Sequence, residues 1–265
     1  MAQSASSLAK GLALLTALGS DEALAAGGLS VVQIAARAGR EKSQVSRVLK
    51  VLAECGFVER DPDTLKYSLS WELFALAARA GDQRLLTAAP ALLNELVDQL
   101  GETAHLSVLR GAEVLTLLSE QPPHAIRAVG WTGRRVPAHC TASGRALLLD
   151  HDLAALKDVF GDEPLPALAA PSPRTLEDLH ERIVASRAQN WCTVDGEFEP
   201  GLVAAAAPVR GVRGRIVAAV NVSAPEFRFS GRLDEAGPAI KHAADRLSAR
   251  LGAPVTALRD LQVAG

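Results

Sequence analysis

No apolar stretch in this 265-residue chain approaches the roughly 18 residues that cross a bilayer; the longest, Gly201–Val209 and Ile216–Val222, stop far short. The N-terminus lacks the basic segment and apolar core of a secretory leader, so a cytoplasmic location is expected. Cysteine is scarce: Cys55, Cys140 and Cys192 are odd in number, widely spaced and in no CxxC, which argues against a disulfide framework or a zinc ribbon and for reduced packing residues. Lysine occurs six times against 22 arginines, a GC-rich skew that weakens any reading of one arginine as selected for its bidentate fork. Net charge is nearly absent too, −2 from 28 basic and 30 acidic residues, so the whole-chain balance gives no sign of a nucleic-acid partner. Also missing are a GxSxG elbow, a P-loop, a GxGxxG turn, an HExxH pair and any clustered His/Cys ligand set; no enzyme centre, metal or cofactor is expected.

What is present is globular composition, 48% hydrophobic and 22% charged, at a length suited to about two domains. Leu8, Leu12, Leu15 and Leu18 recur at helical spacing up to Gly19. After a loop rich in Gly and Ala, Ser30 opens a second helix with Val31, Ile34, Ala35 and Ala38 on one face, ended by Gly39. A third helix, 41–55, sets Val45, Val48, Leu49 and Leu52 opposite Ser43, Arg47 and Lys50. Two strand-like runs, 57–60 and 66–69, flank the turn Asp61-Pro62-Asp63-Thr64. Helix, helix, turn, helix and hairpin is a winged helix-turn-helix order. Residues 1–70 form this domain, 71–82 a linker helix capped by Ser70, and 83–265 a larger α+β domain, with the boundary near Gly81. In the latter, helices are expected at 83–100, 141–149, 175–189 and 233–251. Strands are expected at 103–110, 113–120, 126–129, 203–209 and 215–222, and the loop Pro164–Pro173 is read as exposed.

Partitioning the charge changes the first impression. Residues 1–80 carry nine basic and eight acidic side chains, but Arg37–Lys50 holds five basic residues against Glu41 alone. A basic run is usually a solvated face; here it coincides with the second helix of a helix-turn-helix, where a local patch displaces the counterions of DNA. Residues near the start of such a helix meet the major groove. Arg40, Lys42, Ser43, Gln44, Ser46, Arg47 and Lys50 are therefore candidate DNA contacts. Gln44 is suited to adenine and Arg47 to guanine, each worth about 1–3 kcal/mol of discrimination. Arg60 and Lys66 on the wing are candidates for backbone or minor groove. Ser30 either contacts phosphate or caps its helix.

The run LSVVQIAARAGREKSQVSRVLKVLAECGFVERDPDTLKYSL is similar to the DNA-binding domain of the IclR-type bacterial transcription regulators. GETAHLSVLRG, VPAHCTASGRALL and APVRGVRGRIVAAVNVSAP continue the resemblance over nearly the whole chain. It implies a winged helix-turn-helix joined by a linker helix to a GAF-like α/β effector-binding domain. It also implies homodimers or homotetramers, a double-stranded DNA operator of pseudo-palindromic sequence, and control by a small-molecule effector, often a carboxylic acid. Leu65 stands where the family has a wing-turn glycine, so a differently shaped tip is expected.

By the same resemblance the effector site gathers Ala142, Ser143 and Gly144 at the start of a helix, whose amides and dipole suit a carboxylate. It adds Val194 and Asp195 in the acidic segment WCTVDGEFEPGL, Ala204, and the strand residues Asn221 and Ser223, which lie two apart on one face. Val194 replaces an aspartate and Ala204 a cysteine of a relative, which implies a ligand larger or less polar than a two- or three-carbon oxo acid, such as an aromatic or branched acid. Arg127, Trp131 and His139 are weaker lining candidates. Two rival readings remain: an enzyme using His139, Cys140 and Asp195, whose neighbouring strand residues would point apart, and a sensor that has lost DNA binding.

Overall fold

The computed structural model describes residues 7–77, 83–122 and 131–254, which divide into two compact units, 1–83 and 84–265. The first holds α1 (Ser7–Leu18), α2 (Asp21–Ala25), α3 (Val31–Ala38), α4 (Lys42–Glu54), β1 (Val58–Arg60), β2 (Tyr67–Leu69) and α5 (Trp71–Ala77). Leu14 and Leu18 of α1, Ile34 of α3, Val45 and Leu49 of α4, and Val58 and Tyr67 of the hairpin close one core. The helix α2 falls where a Gly/Ala loop is expected. Ser20 caps it by accepting from the Ala23 amide at 3.3 Å, and Asp21 and Glu22 meet the positive end of its dipole. Gly39 takes φ +59° and turns the chain from α3 into α4.

The wing is a hairpin widened by Leu29, which exchanges two backbone hydrogen bonds with Tyr67. At its tip the Asp61 carboxylate accepts from the Asp63 and Thr64 amides and the Thr64 hydroxyl, which holds its pKa below the usual range. Leu65 has φ +58°. This residue thus takes the left-handed conformation that glycine prefers, at a strain of about 1–2 kcal/mol for a leucine. The expected extension of the linker helix past Ala77 lies outside the described residues, as does the strand expected at 126–129.

The second unit contains α6 (Gln83–Leu100), β3 (Thr103–Arg110), β4 (Glu113–Glu120), β5 (Arg135–Pro137), α7 (Ala142–Leu147), α8 (Leu153–Phe160), α9 (Leu176–Arg187), β6 (Cys192–Asp195), β7 (Leu202–Arg210), β8 (Ile216–Pro225), α10 (Glu226–Phe229) and α11 (Leu233–Arg250). The strands form one antiparallel sheet in the order β5-β4-β3-β8-β7-β6. Period-2 alternation gives each face its own core. Leu106 and Val108, Val220 and Val222, and Val203 and Ala205 meet Leu92, Leu93 and Leu96 of α6 and Ile240, Ala244 and Leu247 of α11. On the other face Val194, Ala206 and Ala219 meet Ala142 and Ala146 of α7, Leu156 of α8 and Leu179 and Ile183 of α9.

One irregularity reorders this alternation. Leu106 pairs with Leu118 but Ser107 pairs with Thr116, so Leu117 is an extra residue in β4. Beyond this bulge the parity of β4 flips. Leu115, Leu117 and Leu118 pack toward α6 and α11, and Thr116 turns to the face of α7.

The helix α7 is shorter than expected and ends at Leu147, with Thr141 accepting from the Gly144 amide at 3.3 Å. The loop read as exposed between Pro164 and Pro173 buries Leu165 and Ser172; the Ser172 hydroxyl donates to the Glu197 carbonyl at 2.5 Å.

Candidate functional site

In the first unit, burying Val45 and Leu49 turns Lys42, Ser43, Gln44, Ser46, Arg47 and Lys50 of α4 outward, and all six are exposed. Their positive charge is little neutralised. Lys50 lies 3.9 Å from Glu54, a loose exposed pair, and Arg47 donates only to the Ser43 carbonyl at 3.4 Å. Arg40 is half-buried beside Gln44 and Lys10. Glu41, the one acid of the stretch, makes no capping hydrogen bond. Arg37 is paired with Glu22 and is not part of this face.

Three expected contacts are otherwise engaged. Ser30 forms a capping box: its hydroxyl accepts from the Gln33 amide, and the Gln33 carboxamide oxygen accepts from the Ser30 amide at 2.9 Å. Capping is therefore the role the geometry gives Ser30. The Lys66 ammonium donates to the Ala26 carbonyl at 2.7 Å, and Arg60 stacks on Tyr67 at 5.7 Å, so both wing cations bind back onto their own unit.

In the second unit a cavity of about 50 Å³, space for about four waters, opens between the sheet and the start of α7. Cross-strand rows build its floor. Val194, Ala204 and Ser223 are paired across β6, β7 and β8, and Ala206, Asn221 and His105 across β7, β8 and β3. Ala204 leaves space that a larger residue would fill. Ser107, Thr116 and Leu202 extend the floor, Cys140, Thr141, Ala142 and Ser143 form the roof, and Trp131 and Phe198 stand at the side with ring centroids 6.4 Å apart. Among the described residues no charged side chain lines this space.

Six of the eight expected effector residues meet there: Ala142, Ser143, Val194, Ala204, Asn221 and Ser223. Asp195 does not; adjacent strand residues face opposite ways, so burying Val194 turns Asp195 outward. Gly144 does not line the space either. A Cβ there would lie 1.9 Å from the Ala138 carbonyl oxygen, so this glycine lets two backbones touch. Trp131 lines the cavity, and Arg127 lies outside the described residues. His139 sits elsewhere, donating from Nε2 to the Pro166 carbonyl at 2.9 Å. Burial pushes the Cys140 thiol up to about 11, so the adjacent His139 and Cys140 form no activated pair with the exposed Asp195.

His105 is the residue that sequence reasoning missed. It is 2% exposed, with Nε2 3.1 Å from the Ser223 hydroxyl and Nδ1 3.0 Å from that of Ser119, linking β8, β3 and β4. Its histidine letter in GETAHLSVLRG carried no periodic signal beyond alternation. Burial pushes its pKa down from 6.5 to about 4, so the ring is neutral and both hydroxyls are oriented by its tautomer. Below 6.5 the unfolded chain takes up a proton that the folded chain refuses until about 4, so this group makes stability fall as the pH is lowered through that window. Between pH 7 and pH 5, wild-type protein is expected to lose about 2 kcal/mol more than His105→Asn in urea unfolding. Equal losses would show that His105 titrates normally.

Asn221 is buried, and its Oδ1 has no hydrogen-bond partner among the described residues. Such an orphan costs about 1–3 kcal/mol unless a ligand or water meets it.

A buried ion-pair network holds the segment that carries Val194 and Phe198. Arg145 of α7 pairs with Glu197 and also donates to the Thr193 carbonyl at 3.3 Å. Arg182 of α9 reaches Glu197 at 3.1 Å and Asp178 at 2.6 Å. Burial outweighs both guanidiniums and holds the Glu197 carboxyl above its ordinary pKa. Among the described residues no group of three or more His, Cys, Asp or Glu is placed to hold a metal, and no helix is long and apolar enough to cross a membrane.

Residues 7–62 match the family model for the IclR helix-turn-helix domain, and residues 78–249 match that for the bacterial transcriptional regulator IclR C-terminal domain. The Pca regulon regulatory protein of Pseudomonas putida is 33% identical over 219 residues, covering 82% of this chain and 73% of that protein. The p-hydroxybenzoate hydroxylase transcriptional activator of Acinetobacter baylyi is 30% identical over 257 residues, 91% of this chain and 89% of the activator. An IclR transcriptional regulator from Alicyclobacillus acidocaldarius superposes with a TM-score of 0.75 at 28% identity, covering 93% of this chain and 98% of its own. An IclR homologue from Microbacterium hydrocarbonoxydans, crystallised with 4-hydroxybenzoate, shares the fold with a TM-score of 0.78 at 23% identity, over 93% of this chain and 99% of that one.

Proposed function

The chain belongs to the IclR family of bacterial transcriptional regulators, and from that premise we propose that it binds a pseudo-palindromic DNA operator through α4 and is switched by an aromatic or branched carboxylic acid held in the cavity of the second unit. The observation that carries the reading is the outward face of α4, where Lys42, Ser43, Gln44, Ser46, Arg47 and Lys50 are exposed together over a buried Val45–Leu49 edge. Lys42 and Lys50 then serve phosphates, while Gln44 and Arg47 reach base edges. A homo-oligomer presents two such helices, which accounts for a palindromic site. The domain division is 1–70 for DNA, 71–82 for the linker and 83–265 for effector and assembly.

The cavity supports the second half of the reading. Ring faces at Trp131 and Phe198 and the apolar Val194 and Ala204 favour a ring or branched chain over a two- or three-carbon oxo acid. Ser107, Thr116, Ser143 and Asn221 supply neutral hydrogen-bonding groups for its polar ends.

Duplexes selected from a random library by the full-length protein, then titrated across salt concentrations, test the first half. About six phosphate contacts per dimer give a log–log slope of roughly −5; salt-insensitive association overturns it. Thermal-shift measurements with 4-hydroxybenzoate, branched acids, glyoxylate and pyruvate test the second, and stabilisation by the two small oxo acids alone overturns it.

A further inference from the structure

Two non-glycine residues among those described have a left-handed backbone, Asn190 and Leu65. Asn190 is unremarkable, since a short amide side chain tolerates that region. Leu65 is not. It is aliphatic, sits at the wing tip with φ +58°, is 51% exposed and belongs to no core cluster. Folding therefore gains little from its side chain and bears the strain of its backbone.

The tip is nevertheless held firmly. The Leu65 amide donates to the Asp61 carbonyl at 3.0 Å, the Asp61 amide to the Lys66 carbonyl at 2.9 Å, and the Asp61 carboxylate ties Asp63 and Thr64. The two cations that would reach for phosphate from here, Arg60 and Lys66, are turned onto Tyr67 and Ala26. The wing therefore presents Leu65 outward as a firmly held apolar side chain, on a turn that also exposes Pro62, Asp63 and Thr64 and the Asp61 carboxylate tied into the turn's own hydrogen bonds.

We propose that Leu65 is the wing's DNA contact, an apolar probe that enters the minor groove beside the site read by α4 and senses groove width and base-step opening rather than phosphate charge. The inference rests on the DNA-binding reading above. Sugar walls and opened base steps are the apolar surface a duplex offers there, and leucine is among the side chains that wedge into them. A probe of this kind reads deformability at positions where no base edge is contacted.

The test compares Leu65→Asn, Leu65→Gly and Leu65→Met in the full-length protein, on a duplex that the wild-type protein selects from a random library. Asparagine and glycine relieve the strain and delete the apolar contact, whereas methionine keeps the contact. The expected result is a pair of opposite shifts. The Asn and Gly variants melt a few degrees higher, on the order of 2–6 °C, yet bind about tenfold more weakly. Their log–log salt slope is unchanged, because no phosphate contact is lost. The Met variant binds within about twofold of wild type. Wild-type affinity in Leu65→Asn overturns the proposal. A flattened salt slope, or a changed oligomeric state in analytical ultracentrifugation, overturns it as well, the last marking Leu65 as a contact between copies of the chain. Failure of wild-type protein to enrich any duplex removes the DNA-binding reading and this proposal with it.

Discussion

Replacing Gly144 by alanine is expected to unfold the second unit. The new Cβ would sit 1.9 Å from the Ala138 carbonyl oxygen and 2.5 Å from its carbonyl carbon, and no rotamer relieves a clash between backbone and Cβ. Parting α7 from the strand end beneath it would open the roof of the cavity and the core around Ala142 and Ala146. A cost of about 4 kcal/mol or more follows, a large share of the 5–15 kcal/mol that usually separates folded from unfolded. Trp131 and Trp191 both lie in this unit, so tryptophan fluorescence in urea reports the loss. Gly196→Ala is the matched control: its φ of +60° strains an alanine, but no atom lies within 4 Å of the new Cβ, so about 1 kcal/mol is expected. A Gly144→Ala protein as stable as wild type would contradict the close approach described for α7.

The second large effect concerns Glu197. Glu197→Leu leaves Arg145 buried with only the Thr193 carbonyl as a partner, and a loss of about 3–5 kcal/mol is expected. The double change Arg145→Met with Glu197→Leu removes both charges and is expected to recover most of that loss. Burial of this pair costs desolvation that its attraction does not fully return, which agrees with the raised pKa of Glu197. Urea midpoints of the wild type, both single variants and the double variant form the cycle. A double variant no better than Glu197→Leu would mean that the side chains matter for shape rather than for charge. Because Glu197 adjoins Phe198, the single variant is also expected to weaken effector binding, while the outward face of α4 is untouched.

Elements with strong periodicity were legible in the sequence. The apolar stripe of α6 gave its span, 83–100, and the alternation of β3 and β4 across Gly111 gave theirs. The opposed stripes of α4 fixed which side chains face out. Two short elements were not legible. In α2 a single serine cap outweighs a Gly/Ala-rich composition, and β6 is four residues long with pairing supplied by β7 alone. At the wing tip the letter Leu65 gave no sign of a left-handed backbone, which the hydrogen bonds of the Asp61 turn hold in place.

The candidate cavity follows the same division. Asn221 and Ser223 were readable together because two positions along a strand share a face. Choosing between Val194 and Asp195 needed the phase of β6, which burial sets. Gly144 looked like an amide donor in the motif, while its role rests on a neighbour six residues back whose distance no sequence shows. Thr116 was out of reach, since its side depends on the extra residue Leu117.

That extra residue carries a wider consequence. Ser119 reaches His105 and Thr116 lines the same chamber, although three positions separate them, an arrangement a regular strand forbids. Deleting Leu117 would restore strict alternation with Leu118 still opposite Leu106 and Thr116 still opposite Ser107, so the wall would keep its hydroxyl and lose only a leucine packed toward α6 and α11. The bulge thus uncouples the length of β4 from what the strand shows the cavity: one residue can be gained or lost at position 117 and the same side chains still face α7.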